Sequence, residues 1–463
     1  MRSLLLLSLV VLMVSPASAQ HGFWQPDDRI LISSFLYARG IATDQRQVFV
    51  ATTNGLEIYD QTFQRWLPPS TIEDGYPALE VPARLAYDAR ERGVWLLTEA
   101  QTLYTWSPMM QRWQQRFISD LPAEVQRRLQ SPLDERDPAW AIMRNFAGRD
   151  AQGRNWPATG LEAAERPGTF WASTYGGNFS FIDTRNLSAQ SYAFGTIGRG
   201  VQALALDAAG QLYFGGDGRG PRHGVTRADT TLQQWQQFEA RVADGPQRRV
   251  FALLPTALGV YAAGDGGVFV LRNARWQRII DDDARALATA AGRTWVGTRG
   301  TLGWVDATDN FVRIEFAVQS VNALATRHDT LWVGAQSGLF RVVAEQPQLV
   351  AAAQPIFDLA WSNDMLVAIT AAGLHTWDGT RLSTPVRHTS LQQIGRLVSL
   401  TAIGDRIYIG GQLGIAEWQP KTNAWRHLTV PDDVPEGPVY DVLEENGRLW
   451  LATPAGALRL QWP

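Results

Sequence analysis

The residues of this chain that could do chemistry are few and widely spaced. Its six histidines, His21, His223, His328, His375, His388 and His427, never fall at the i, i+2 or i+4 spacing that lets one strand or helix aim two imidazoles at a metal ion. With no cysteine there is no thiolate nucleophile, disulfide or sulfur-ligated metal. Lys421 is the only lysine and sits in "QPKTNAW", which reads as an exposed turn, so no Schiff-base role is assigned to it. No H-E-x-x-H, G-x-S-x-G, Walker or dinucleotide motif occurs. Asp281, Asp282 and Asp283 are consecutive, so their side chains diverge where calcium would need six to eight converging oxygens; a solvated acidic loop is the better reading. The sequence therefore predicts no catalytic residue, metal site or cofactor.

One polar stretch stands out. In "GGDGRGPRHGV", residues 215–225, Arg219, Arg222 and His223 could offer cationic donors to an anionic or polar ligand. Ordinary exposed loop residues are the plainer reading of the same types. The flanks, "LYF" and "VTR", mark the stretch as the turn of a hairpin, and that hairpin recurs. "VFVATTNGLEIYD" (48–60), "VWLLTEAQTLYTW" (94–106), "TFWASTYGGNFSFID" (169–183), "VYAAGDGGVFVL" (260–271), "TWVGTRGTLGWVD" (294–306), "LWVGAQSGLFRVV" (331–343), "LVAITAAGLHTWD" (366–378), "IYIGGQLGIAEWQ" (407–419) and "LWLATPAGALRL" (449–460) repeat it. About ten copies at a fixed period mark a repeat architecture.

Each hairpin is preceded by a short strand of small and branched residues, as in "VNALAT", "VQALAL", "RALATA" and "VYDVLE". Most are followed by a strand built on an aromatic: Trp66, Trp113, Trp235, Trp276 or Trp425. Four strands per unit of roughly 44 residues is the content of a propeller blade. The predicted fold is all-β, a β-propeller of about ten four-stranded blades, in one ring or, alternatively, two smaller propellers. Tryptophans repeating with this period belong to the core; Trp140 and Trp156 do not repeat. In such a fold the turns between second and third strands share a face with the connections between blades. That places Tyr175, Asp265, Arg299 and Gln336 on one rim with Arg219, Arg222 and His223 as ligand-binding candidates.

The last unit ends at "LRLQWP" without an aromatic strand, and "HGFWQP" near the start resembles it. Phe23 and Trp24 are therefore expected to complete the final blade and close the ring, removing an exposed strand edge. The period breaks once, at about 117–168. There "LPAEVQRRLQ" has helical character, "AWAIMRNF" is expected to be the first strand of the third blade, and residues 145–168 read as a long loop. Such an insertion is functional, a cap, or plain surface decoration.

Residues 1–19 combine Arg2, a short apolar run and Ala17 and Ala19 at A-x-A spacing. They read as a signal peptide, too short to span a membrane. Residues 20–463 form the repeat domain. With 45% hydrophobic and 19% charged residues the chain is globular, and a net charge of −3 with a pI near 6.1 offers nothing to a phosphate backbone. Nucleic acid is excluded as a partner, no membrane insertion is expected, and a monomer is.

Aligned, the hairpins read L-W-[VIL]-[GA]-T-x-x-G-L. Leu331, Trp332, Val333, Gly334, Gly338 and Leu339 carry this pattern, as do Trp295, Val296, Gly297 and Thr298, and Trp450, Leu451, Ala452 and Thr453. The pattern resembles the two-component regulator propeller repeat. That family supplies the extracytoplasmic sensor propellers of bacterial hybrid histidine kinases and also stand-alone exported proteins, usually with seven repeats per ring. The resemblance covers nearly all of the chain after its signal and specifies blades rather than a ligand. This chain ends on its last repeat, without an immunoglobulin-like module, membrane helix or kinase. It implies a non-catalytic binding or scaffold propeller, periplasmic or extracellular, whose partner is an envelope protein, peptide or glycan. The alternatives are a sensor module working with a separate kinase and a lyase or glycosidase with carboxylates paired across blades.

Overall fold

The computed structural model describes every residue except 1–27, 45, 131–135, 137, 148–153, 315, 317–319, 353 and 463. All ten hairpins are present, nine as the middle pair of a four-stranded antiparallel sheet; the other, 365–377, is an edge pair, because among the described residues its sheet has three strands and lacks the expected fourth. In chain order the sheets span 38–71, 82–116, 158–192, 201–239, 250–280, 284–313, 321–352, 356–377, 397–429 and 441–461, and we number them one to ten. Second strands such as Thr330–Ala335 and Arg293–Thr298 are buried on both faces beyond their first residue. That is why they read as continuous apolar runs rather than alternating ones. Outer strands need less cover: in Trp113–Arg116 only the tryptophan is buried.

The hairpin turn dictates its own sequence. Gly338 has φ +130°, and a Cβ there would sit 2.3 Å from the carbonyl oxygen of Ala351 on the fourth strand, a position open to glycine alone. The first strands of sheets one to nine each enter through a β-bulge, which bends the strand where the sheets converge.

Lateral packing does not run through the ten sheets in one succession. From sheet four to sheet ten each first strand packs against the next, and the first strand of sheet ten packs against that of sheet four. Sheets one to three form a second group in which sheet one lies in the middle, touching sheet two through one apolar cluster and sheet three through another. Gly160 marks the second contact, since a Cβ on it would sit 2.6 Å from Ile41 Cγ2. The groups join where Trp66 stacks on Phe194 at 4.5 Å and the side-chain amide of Gln233 pairs with the edge of sheet one. It accepts from the Trp66 amide at 2.7 Å and donates to the Trp66 carbonyl at 3.2 Å.

The N-terminal segment does complete the final sheet, but the strand is Arg29–Ile32, paired antiparallel with 457–460. Phe23 and Trp24, expected in that place, lie outside the described residues, as does the signal peptide. The insertion holds helix α1, Ala123–Gln130, as expected. "AWAIMRNF" is not a strand: it forms helix α2, Pro138–Ile142, and a π-helical turn, Met143–Ala147. Its run of unalternated apolar residues after a proline at the first helical position suits a helix better than a half-buried strand. The first strand of sheet three is Ala158–Ala163, within the segment expected to be loop. Val125 and Leu129 of α1 pack on sheet two beside Trp95 and Leu103. Trp140, Ile142 and Met143 pack beside Ala172 and Ile182 of sheet three. The insertion thus caps the two faces that the three-sheet group would otherwise leave bare.

Candidate functional site

Hairpin turns and inter-sheet connections are tied together by a recurring backbone hydrogen bond. In sheet after sheet, the first amide beyond the second strand donates to the carbonyl that closes the preceding connection. Asp217 bonds Gly200 at 3.2 Å, Asp265 bonds Arg249 at 3.0 Å, Arg299 bonds Asp283 at 3.0 Å, Gln336 bonds Ser320 at 3.0 Å and Tyr175 bonds Pro157 at 2.9 Å. Hairpin turns and inter-sheet connections therefore share one face.

On that face the long turn of sheet four, between strands Gln211–Gly216 and Gly224–Asp229, borders two cavities. The first, of about 600 Å³, is lined by Asp217, Arg219, His223, Arg241, Arg248, Arg249, Asp265 and Tyr440, among others. The second, of about 1070 Å³, lies where sheets one, four and ten meet, with Tyr37, Asn54, Glu73, Arg199, Arg219, Arg222 and Glu436 on its wall. Arg219, His223 and Asp265 thus come together, with Arg222 on the far side of the same turn. Tyr175 stands apart, its ring 5.1 Å from Tyr37 and covered by the Arg39 guanidinium at 4.6 Å. Arg299 and Gln336 belong to neither cavity.

Arg222 is a tie rather than a free donor. Its Nη1 donates to the carbonyl of Gly176 on sheet three at 2.7 Å, and its Nε and Nη2 donate to Glu239 Oε2 at 3.0 and 2.7 Å. Arg154 engages both oxygens of the same carboxylate at 2.7 and 2.6 Å. Burial opposes ionisation of Glu239, yet the two guanidinia overcome it and hold the carboxyl below its usual range. Trp156 lies beneath both, 5.4 Å from the Arg154 guanidinium and 5.8 Å from that of Arg222. This non-repeating tryptophan therefore serves the junction between the two groups of sheets. His223 is pushed toward its neutral form, first by burial and then by the Arg241 charge, and its Nδ1 is buried with no hydrogen-bond partner among the described residues.

Sequence reasoning missed Arg241, Arg248 and Arg249. For the last two the signal was there: Arg248 and Arg249 immediately precede the first strand of sheet five, which puts them in a connection on the same face. It also missed two inward acids. Asp358 accepts from the amides of Leu359 at 2.8 Å and Leu400 at 2.6 Å. Asp441 accepts from Val442 and Leu204, both at 2.8 Å. Desolvation pushes the first up to about 7 and the second to about 6. All four oxygens are occupied by backbone donors, so the pair fastens neighbouring sheets. The aspartates at 281–283 reach three separate partners, Arg278, Arg313 and the Gly266 amide.

No family model matches the chain, and no curated protein does either. Among solved structures, the extracellular domain of a hybrid two-component system from B. thetaiotaomicron is similar at 12% identity and a TM-score of 0.45, over 94% of this chain and 72% of that one. A second such domain from the same organism gives 12% identity and a TM-score of 0.34, over 92% and 82%. The computationally designed Ika8 protein gives 13% and 0.32, over 94% and 98%. Likeness at this distance says nothing about what this chain binds. Among the described residues, no helix is long and apolar enough to cross a membrane.

Proposed function

We propose that the chain is an exported, non-catalytic binding module of the cell envelope. Its sheets four to ten would form a seven-bladed propeller fastened by the N-terminal strand, and sheets one to three a capped wedge against it. The binding face is the rim around the long turn of sheet four. One observation carries this reading: two cavities open on either side of a single turn, 217–223, and Asp217, Arg219 and Pro221 belong to both. A rigid platform of this breadth suits a protein, peptide or glycan partner. The sequence pattern supports the sensor-propeller family, and a sensor module acting with a separate kinase would use the same face.

The test is capture from envelope extracts by the immobilised chain and by a variant carrying Arg219→Glu, Arg241→Glu and Arg248→Glu. A component held by the first and lost by the second supports the reading. Equal capture by both places the partner elsewhere.

A further inference from the structure

The first cavity has an excess of positive charge that no carboxylate among the described residues meets. Four guanidinia reach its wall, from Arg219, Arg241, Arg248 and Arg249. Arg249 is paired with Asp265 at 2.9 Å, and Arg219 lies 3.7 Å from Asp217. Glu239 also borders the cavity, but its charge is met from behind by Arg222 and Arg154. Arg241 and Arg248 have no carboxylate partner among the described residues, which leaves two uncompensated positive charges. They come from different elements, Arg241 from the short helix Ala240–Ala243 and Arg248 from the connection to sheet five. That connection is pressed against the turn of sheet four: Gly218 has φ +72°, and a Cβ there would lie 2.7 Å from the Arg249 amide nitrogen. His223 lies within the field of both arginines, as well as of Asp217 and Glu239.

Two like charges held at one cavity repel each other unless a counter-charge joins them, and guanidinium forks match carboxylate, phosphate and sulfate oxygens. We infer that this cavity binds a small doubly charged oxyanion between Arg241 and Arg248. Its volume of about 600 Å³ admits an organic dicarboxylate as readily as an inorganic dianion. The inference rests on the rim being the binding face. It fails separately, since a macromolecular partner can be lost on charge reversal although no small dianion binds.

Isothermal titration of the full chain with succinate, sulfate and acetate at matched ionic strength tests it. Expected is binding of a dianion at least tenfold tighter than acetate, with a tenfold or greater loss in the Arg241→Gln/Arg248→Gln variant. Succinate tighter than sulfate assigns the site to dicarboxylates, and the reverse order to inorganic or esterified oxyanions. The Asp265→Asn variant, which releases Arg249, should tighten binding severalfold, so the inference does not depend on a loss alone. Dianions no tighter than acetate, or a double variant that binds like the wild type, would overturn it.

Discussion

Asp441 accepts the backbone amide of Leu204 at 2.8 Å although 237 residues separate them. Asp358 holds Leu400 in the same way, at 2.6 Å across 42 residues. In both pairs the aspartate is the third residue of its motif, "IFD" or "VYD", and the donor the fourth of "LVSL" or "VQAL". The junction of sheet ten with sheet four therefore repeats the junction of sheet eight with sheet nine. A contact between the ends of a succession that copies one in its middle is what a closed arrangement of seven would need.

Replacing Asp441 by alanine should cost about 1 to 3 kcal/mol, because it strands a partly buried amide. Urea unfolding measures the loss. Hydrogen exchange should show faster opening of both 201–206 and 441–445.

The same two acids set a pH dependence. Their folded values, about 7 for Asp358 and about 6 for Asp441, lie above the ordinary carboxylate range, so the folded chain binds these protons first. The stability they lend is complete below about pH 4 and is withdrawn as the pH rises through 6 and 7. Water reaches part of both side chains, which holds the effect to roughly 1 to 3 kcal/mol each. Unfolding midpoints should decline as the pH rises from about 4 to 7 and level off above, and the Asp358→Asn/Asp441→Asn variant should flatten that slope.

Glu57 should act in the same direction. It is fully buried, neither carboxyl oxygen has a hydrogen-bond partner among the described residues, and burial raises its pKa well above the usual value. Keeping a carboxyl unpaired in an apolar interior is costly. Glu57→Met should stabilise the chain by ~1 to 3 kcal/mol at neutral pH, with a gain that widens as the pH rises. A destabilised variant would reveal a polar role for this side chain.

Arg222 and Arg219 are close in sequence but should separate cleanly. Arg222→Ala leaves the buried Glu239 with one guanidinium fewer and should cost roughly 3 kcal/mol. Arg219 is exposed, and Arg219→Ala should leave the melting temperature within a degree while weakening ligand capture.

Much of this was legible in the sequence because it depended on local rules repeated ten times. Gly338 at its left-handed turn, Trp332 in the strand before it and the small residues of "VNALAT" each answer a constraint within one sheet. What depended on the path between sheets was not legible. Nothing in "AWAIMRNF" reports that a sheet stands ready to be capped, and nothing in "ATGLEA" reports that sheet three returns to the far side of sheet one. At the site, the turn at 215–225 was visible as a basic loop. Whether its arginines were free was not: Arg222 is committed to Glu239, whereas Arg241 and Arg248, from a neighbouring element, complete the cavity.

Hydrogen–deuterium exchange of the full chain, alone and with the component it captures from envelope extracts, most directly tests the claim that binding occurs at the rim of sheet four. Protection is predicted in residues 217–223 and 240–249. Unchanged exchange there, with protection confined to the opposite turns around Asp183, Asp306 and Asp378, would contradict it.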